Sequence, residues 1–278
     1  EIDYLTSRHG VLSVSFMDNL LPLKDSQEIF SALGELGKDL RLFGEIRATT
    51  PRDTLEAMKG AGTREVQIGI EALSTALLRK LNKGSTAIQN LQIMRDCEEL
   101  GISNVSNLIL QFPGSEPDHV KETLRALDFA APFRPLRAVS FWLGFGSPVW
   151  HDQAAFGVKA VFNHPNYRIL FPPRVCRAVR FMIQSYRGDR GYQRRLWQPV
   201  REEIRAWKKA YEEFHSGPSR CPMLTYRDGR DFLMIRQKGP HKDTITHRLT
   251  GKSRALYLFC SRHRSLKRIV GQFPTLSE

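Results

Sequence analysis

Val66-Gln67-Ile68-Gly69-Ile70-Glu71 alternates apolar residues with open or polar ones and ends on a carboxylate. With the two-residue period of a strand, Gln67, Gly69 and Glu71 share one face while the branched residues pack on the other. Working outward, the same figure recurs five times between Gly10 and Gly144, in strands expected over residues 11–17, 40–46, 65–70, 104–112 and 136–143. Four of the tips carry Asp18-Asn19, Glu45 and Arg47, Glu71, and Gln111-Pro113-Gly114. Helices are expected before the first strand, over residues 2–8, and in the gaps: residues 26–36, one started by Thr50 and Pro51, a pair capped by Ser74 and by Ser85 or Thr86, and residues 118–130. Strands so separated cannot be hairpins and must pair in parallel through right-handed crossovers. The fold class is therefore α/β, a partial (β/α) barrel whose polar strand tips converge on one rim.

Beyond Gly146 the rhythm stops. An aromatic, proline-containing wrap or lid is expected over residues 147–173, then a helix over 174–186 with Cys176, Val179, Ile183 and Tyr186 on one face, then a helix over 199–215. Three short strands and two helices fill the end, with turns at Asp228-Gly229 and Gly239-Pro240. The expected organisation is a partial barrel over 1–146, a wrapping and helical region over 147–220, and a small β-then-α unit over 221–278.

Charge divides the chain the same way. Residues 1–150 hold 16 Lys and Arg against 19 Asp and Glu, whereas residues 151–278 hold 26 against 10, so the net charge of +13 belongs to the second half. Such asymmetry suits an anionic partner, whether nucleic acid, phosphate or an acidic peptide, or simply a solvated face of arginine-rich helices. The four cysteines are scattered and form no C-x-x-C pair, which argues against a zinc site or a disulfide framework and for a reducing, cytoplasmic setting. No apolar run is long enough to span a bilayer, so no membrane partner is expected.

The tips carry the chemistry. A carboxylate such as Asp18 at the end of a buried strand is costly unless paired or bound to a ligand, and it suits an ammonium. Glu45 and Arg47 project to one side and offer an acceptor beside a forked donor, matching an amino-acid-like zwitterion or pairing with neighbouring tips. Bare Gly69 leaves room for something flat, Glu71 suits a ribose diol, and Pro113-Gly114 presents backbone groups without obstruction. No H-E-x-x-H, G-x-S-x-G, P-loop or G-x-G-x-x-G competes, so an enzyme built on this chain leans on a cofactor for the hard step.

Phe16-Met-Asp-Asn-Leu-Leu-Pro22, Gly44-Glu-Ile-Arg47, Ala61-Gly62 before Val66–Glu71, Leu81-Asn-Lys-Gly84, and Gly101-Ile102 before Leu108-Ile-Leu-Gln-Phe-Pro-Gly114 together resemble the radical S-adenosylmethionine superfamily. The nearest likeness is to its cobalamin-binding branch and to enzymes that mature ribosomally made peptides, often as C-methyltransferases. The superfamily likeness covers residues 1–145 and the subgroup likeness extends to about residue 260. It implies that Asp18 and Asn19 contact the methionine amino group of S-adenosylmethionine, that Glu45 and Arg47 stand near its carboxylate or the substrate, and that Glu71, with Gln67 on the same face, meets the ribose. Gln111, Pro113 and Gly114 would lie near adenine, although Gln111 stands where a glycine is more usual.

The same resemblance implies a C-x-x-x-C-x-x-C loop for a 4Fe-4S cluster, and a cobalamin domain, neither of which this chain contains. Both are expected upstream of Glu1, leaving the barrel here without its first strand and cluster loop, and the chain inactive alone. A degenerate, non-catalytic module binding peptide or nucleic acid is the alternative. Residues 232–270 also resemble a small leader-peptide recognition element, for which a precursor peptide is the implied partner.

Overall fold

The computed structural model describes every residue except 18, 19, 23, 217–221, 239–243 and 275–278. Asp18, Asn19, Cys221 and the Gly239-Pro240 turn thus lie outside the described residues. A parallel sheet runs β1 (Ser13–Ser15), β2 (Arg41–Ile46), β3 (Thr63–Ile68) and β4 (Ser103–Asn104) in chain order. It continues through an isolated parallel bridge between Glu71 and Leu108 to β5 (Asn107–Leu110), which pairs in parallel with β6 (Arg137–Ser140). The expected α/β architecture with a parallel sheet is present, and its strands alternate as the sequence does. Leu42, Ile46, Val66, Ile68, Leu108 and Leu110 are buried under the helices, whereas Glu45, Gln67 and Asn107 face the concave side.

Local chemistry accounts for the helix boundaries. Ser74 Oγ accepts from Leu77 N to start the helix Thr75–Lys80, and Thr86 with Gln89 forms a capping box on Ala87–Leu100, which Gly101 closes in the left-handed region. Thr50 does not cap the helix Arg52–Gly60; Pro51 occupies the cap position, with extended backbone and no side-chain bond. The long strand expected over 104–112 is broken in two. Asn104 Oδ1 accepts from Ser106 N, and Ser106 Oγ accepts from Ile68 N, so two side chains take over hydrogen bonds that a continuous ladder would make.

The larger departure falls after Gly146. In place of a helix over 174–186 there is a short one, Pro173–Ala178, and then a strand. That strand, β9 (Ile183–Arg187), is the centre of a three-stranded antiparallel sheet, pairing with β7 (Leu143–Gly144) on one side and β8 (Ala160–Asn163) on the other. The face of Cys176, Val179, Ile183 and Tyr186 therefore does not exist. Residues 179–187 mix β-branched and aromatic residues that fit a pleated surface, and two non-local partners settle the matter. The helices Arg190–Leu196 and Gln198–His215 follow, the second burying Val200, Ile204 and Trp207. Trp207 Nε1 donates to Phe133 O, tying that helix to the barrel. At the end, β10 (Leu224–Asp228), β11 (Phe232–Lys238) and β12 (Thr244–Thr250) form an antiparallel sheet, followed by the helices Gly251–Phe259 and Leu266–Gln272. Arg95 Nη1 donates to Ser261 O and His263 N to Gln92 Oε1, fastening this unit to the helix Ala87–Leu100. Among the described residues no helix is long and apolar enough to cross a membrane.

Candidate functional site

A cavity of about 370 Å³ opens at the carboxyl ends of β2 and β3, lined by Glu45, Arg47, Gln67, Gly69, Glu71, Asn82, Lys83, Ser85 and Asn107 among others. Four expected site residues, Glu45, Arg47, Gln67 and Glu71, thus meet at one place. The register explains why: Glu45 lies directly opposite Gln67 across β2 and β3, with Arg47 and Gly69 one pleat further on. The side chains of Glu45, Arg47 and Gln67 have no hydrogen-bond or ion-pair partner among the described residues, so Glu45 and Arg47 do not pair with each other. Ser85 Oγ is buried at the same cavity and also lacks a partner. A Cβ built on Gly69 would meet nothing within 4 Å, so the floor of the cavity is open.

Glu71 is held apart from this group. Its carboxylate accepts from Lys83 Nζ at 3.0 Å, while its carbonyl accepts from Ile109 N at 2.8 Å and so stitches β3 to β5. Its φ of 57° places a non-glycine residue in the left-handed region, at a cost of about 1 kcal/mol. Gln111 shows the same feature, with φ 63°, one residue past the end of β5. That conformation gives a physical reason for glycine to be favoured there.

Gln111, Pro113 and Gly114 are not part of this cavity. Pro113 is buried, and Gly114 is clamped from two sides: Lys80 Nζ donates to its carbonyl at 2.6 Å and its N–H donates to Asp189 Oδ2 at 3.1 Å. Gln193 Nε2 completes the clamp, donating to Asp189 Oδ2 and to Ser115 O. Gln111 instead lines a second cavity of about 400 Å³, with Ser140, Phe141, Trp142, Leu143, His164, Gln184, Ser185, Tyr186, Arg190, Arg194, Gln198 and Arg201. Burial, and then the nearby Asp189 carboxylate, push the Tyr186 hydroxyl up to about 12, so it is a neutral donor near pH 7.

Lys83 and Asn82 went unassigned in the sequence, although both sit in the Leu81-Asn-Lys-Gly84 run; Asn82 has φ 53° and turns the chain so that Lys83 reaches the β3 tip. Arg190 and Arg194 of the second cavity are four apart on one helix, which puts them on one side, and Arg201 comes from the helix that follows. Among the described residues no group of three or more His, Cys, Asp or Glu is arranged to hold a metal ion. Cys97 is buried, with its thiol pushed up to about 12 by that burial and by Asp96 and Glu98, and Cys176 and Cys260 stand elsewhere. These residues do not fit an iron–sulfur cluster.

Fold and rim together define an α/β half-barrel with a polar cavity at its strand tips. Residues 2–127, a little under half of the chain, match the family model described as the Radical SAM superfamily. An uncharacterized methyltransferase of Pyrococcus horikoshii is 25% identical over 128 residues, covering 45% of this chain and 28% of its own. The radical S-adenosylmethionine methyltransferase TsrM from Kitasatospora setae, solved with cobalamin and a [4Fe-4S] cluster bound, superimposes with a TM-score of 0.51 at 17% identity, over 74% of this chain and 45% of its own. That likeness is one of fold. The cobalamin-dependent S-adenosylmethionine radical enzyme OxsB gives a TM-score of 0.39 at 20% identity, over 50% of this chain and 22% of its own. The chain spans less than half the length of each of these relatives.

Proposed function

We propose that the half-barrel binds S-adenosylmethionine in the first cavity and serves a cobalamin-dependent radical enzyme that C-methylates a ribosomally made peptide. The observation that carries the cofactor site is the unpartnered set of Glu45, Arg47, Gln67 and Ser85 around about 370 Å³ of open space, next to Glu71. Arg47 is suited to the methionine carboxylate through a forked contact, Glu45 to its ammonium, and Glu71 to the ribose hydroxyls, with the nucleoside lying over Gly69. Asp18 and Asn19 belong to the same proposal, on the strength of the sequence resemblance alone. S-adenosylmethionine supplies an activated methyl sulfonium; the chain's own residues orient it. The methyltransferase reading draws support from the likeness to the P. horikoshii and K. setae methyltransferases, and the peptide substrate from the resemblance in sequence. No step is assigned to a cluster or to cobalamin, for which these residues offer no ligands.

Saturation-transfer NMR with S-adenosylmethionine tests the cofactor site even at weak affinity. Transfer to the ribose and adenine protons is expected, diminished in Arg47→Ala and Glu71→Gly; a folded protein that transfers nothing overturns the proposal and leaves the non-catalytic binding module as the reading. Methylation itself is read by mass spectrometry of candidate peptides modified by the enzyme, as a gain of one methylene.

A further inference from the structure

The second cavity is lined by three arginines and by no carboxylate. Arg190 is braced, its Nη1 donating to Ser185 Oγ at 3.2 Å and its guanidinium lying 5.4 Å from the Tyr186 ring centre. Arg194 and Arg201 have no side-chain partner among the described residues, although they open on the same space. The neighbouring acids are already engaged. Asp189 Oδ2 accepts from Gly114 N and Gln193 Nε2, and Glu202 accepts from Gln198 Nε2 at 2.7 Å. Two free guanidinium groups converging on a concave site mark a place for carboxylate or phosphate oxygens.

An apolar, exposed margin begins at Trp142 in the same lining. Trp142 stacks on His164 with ring centres 5.6 Å apart and remains 60% exposed. It continues along the β7–β9 pairing, where Phe145 N donates to Met182 O, to Phe145 at 44% and Met182 at 72% exposure. Large exposed apolar side chains beside unpaired arginines are the composition of a protein-recognition surface. A nucleic acid would ask for a groove that follows several successive phosphates, whereas these three arginines meet in one cavity of about 400 Å³.

We infer that the cavity lined by Arg190, Arg194 and Arg201, with its Trp142, Phe145 and Met182 margin, grips an acidic, apolar peptide segment by its side-chain carboxylates. The inference rests on the proposed peptide substrate and adds where, and by what chemistry, that substrate is held. Its position just past Gln111 sets the segment beside the strand tips of the barrel.

The test is isothermal titration of the whole chain with a capped tetrapeptide of two glutamates, leucine and phenylalanine, set against its counterpart with two lysines. The acidic peptide is expected to bind and the basic one not, with the double variant Arg194→Ala/Arg201→Ala weakening the acidic peptide at least 10-fold. The control pair Arg227→Ala/Arg236→Ala, on the exposed end sheet, should leave binding unchanged. Equal loss in the control pair, unchanged binding in the cavity variant, or recognition of inorganic phosphate or a short oligonucleotide in preference to the peptide overturns the inference. S-adenosylmethionine binding is followed in the same samples. Peptide binding without cofactor binding sinks the proposed function and leaves this site standing; cofactor binding without peptide binding does the reverse.

Discussion

Replacing Glu71 with glycine separates the backbone role of this residue from the role of its side chain. The native φ of 57° costs an L-residue about 1 kcal/mol, which glycine recovers. Against that, the Lys83 ion pair at 3.0 Å is lost, worth about 0.5–1 kcal/mol for partly exposed partners, and glycine adds roughly 0.5–1 kcal/mol of unfolded-state entropy. The opposing contributions nearly cancel, and the carbonyl that accepts from Ile109 N is retained, so the stability to urea should change by less than about 1 kcal/mol. Binding should not be spared. A carboxylate accepting two hydroxyl hydrogen bonds contributes at least about 3 kcal/mol, and surrendering the Lys83 pair takes back about 1, leaving about 2 kcal/mol or roughly a 30-fold loss of affinity. Titration calorimetry with S-adenosylmethionine measures it, with Glu65→Gln as a control that removes one negative charge outside the cavity. Affinity unchanged in Glu71→Gly, or an equal loss in the control, would refute the assignment of Glu71 to the ligand.

Gly62 has φ 99°, and a Cβ there would stand 2.0 Å from Leu40 O, so Gly62→Ala should cost about 3 kcal/mol or more in denaturant unfolding, from backbone strain and overlap together. Burial pushes the Glu122 carboxyl up, but donors from Ser74 Oγ and the Thr75 and Ala76 N–H groups outweigh it and hold the group below its ordinary value. A lowered carboxylate stabilises the fold fully above its unfolded value and loses that contribution as the pH falls through the folded one. The melting temperature should therefore fall more steeply as the pH drops below about 4.5 in the native chain than in Glu122→Gln, which should also cost about 1–2 kcal/mol at pH 7. Native alkylation followed by peptide mapping should mark exposed Cys260 and spare Cys97, whose buried thiol should react only on unfolding.

The half-barrel was legible because its information is local. In β2 and β3 the two-residue alternation sets Leu42, Ile46, Val66 and Ile68 inward, and the same alternation aligns Glu45, Arg47 and Gln67 on the open face. Where a strand owes its existence to distant partners the sequence is ambiguous. Residues 176–186 place apolar side chains at helical spacing, yet β9 forms because β7 and β8 supply hydrogen bonds from 20 to 40 positions away. Lys83 was invisible for a related reason: its reach to Glu71 depends on the left-handed turn at Asn82 that ends a helix, not on any pattern in the residues themselves. Gln111 was grouped with the rim by its place in the chain, and its side chain opens on the neighbouring cavity instead.

The helix Arg190–Leu196 joins two tasks in a way that bears on how this chain tolerates length changes. Asp189 and Gln193, four residues apart, hold the Gly114 turn, and Arg190 and Arg194, also four apart, stand on the adjoining face, one residue or about 100° further round. A single inserted residue between Asp189 and Gln193 would rotate the rest of that helix by that angle, turning Arg194 off the cavity and Gln193 off the turn at once. Insertions there should behave unlike those in other solvent-facing segments, and a scan of one-residue insertions would map that helical phase directly.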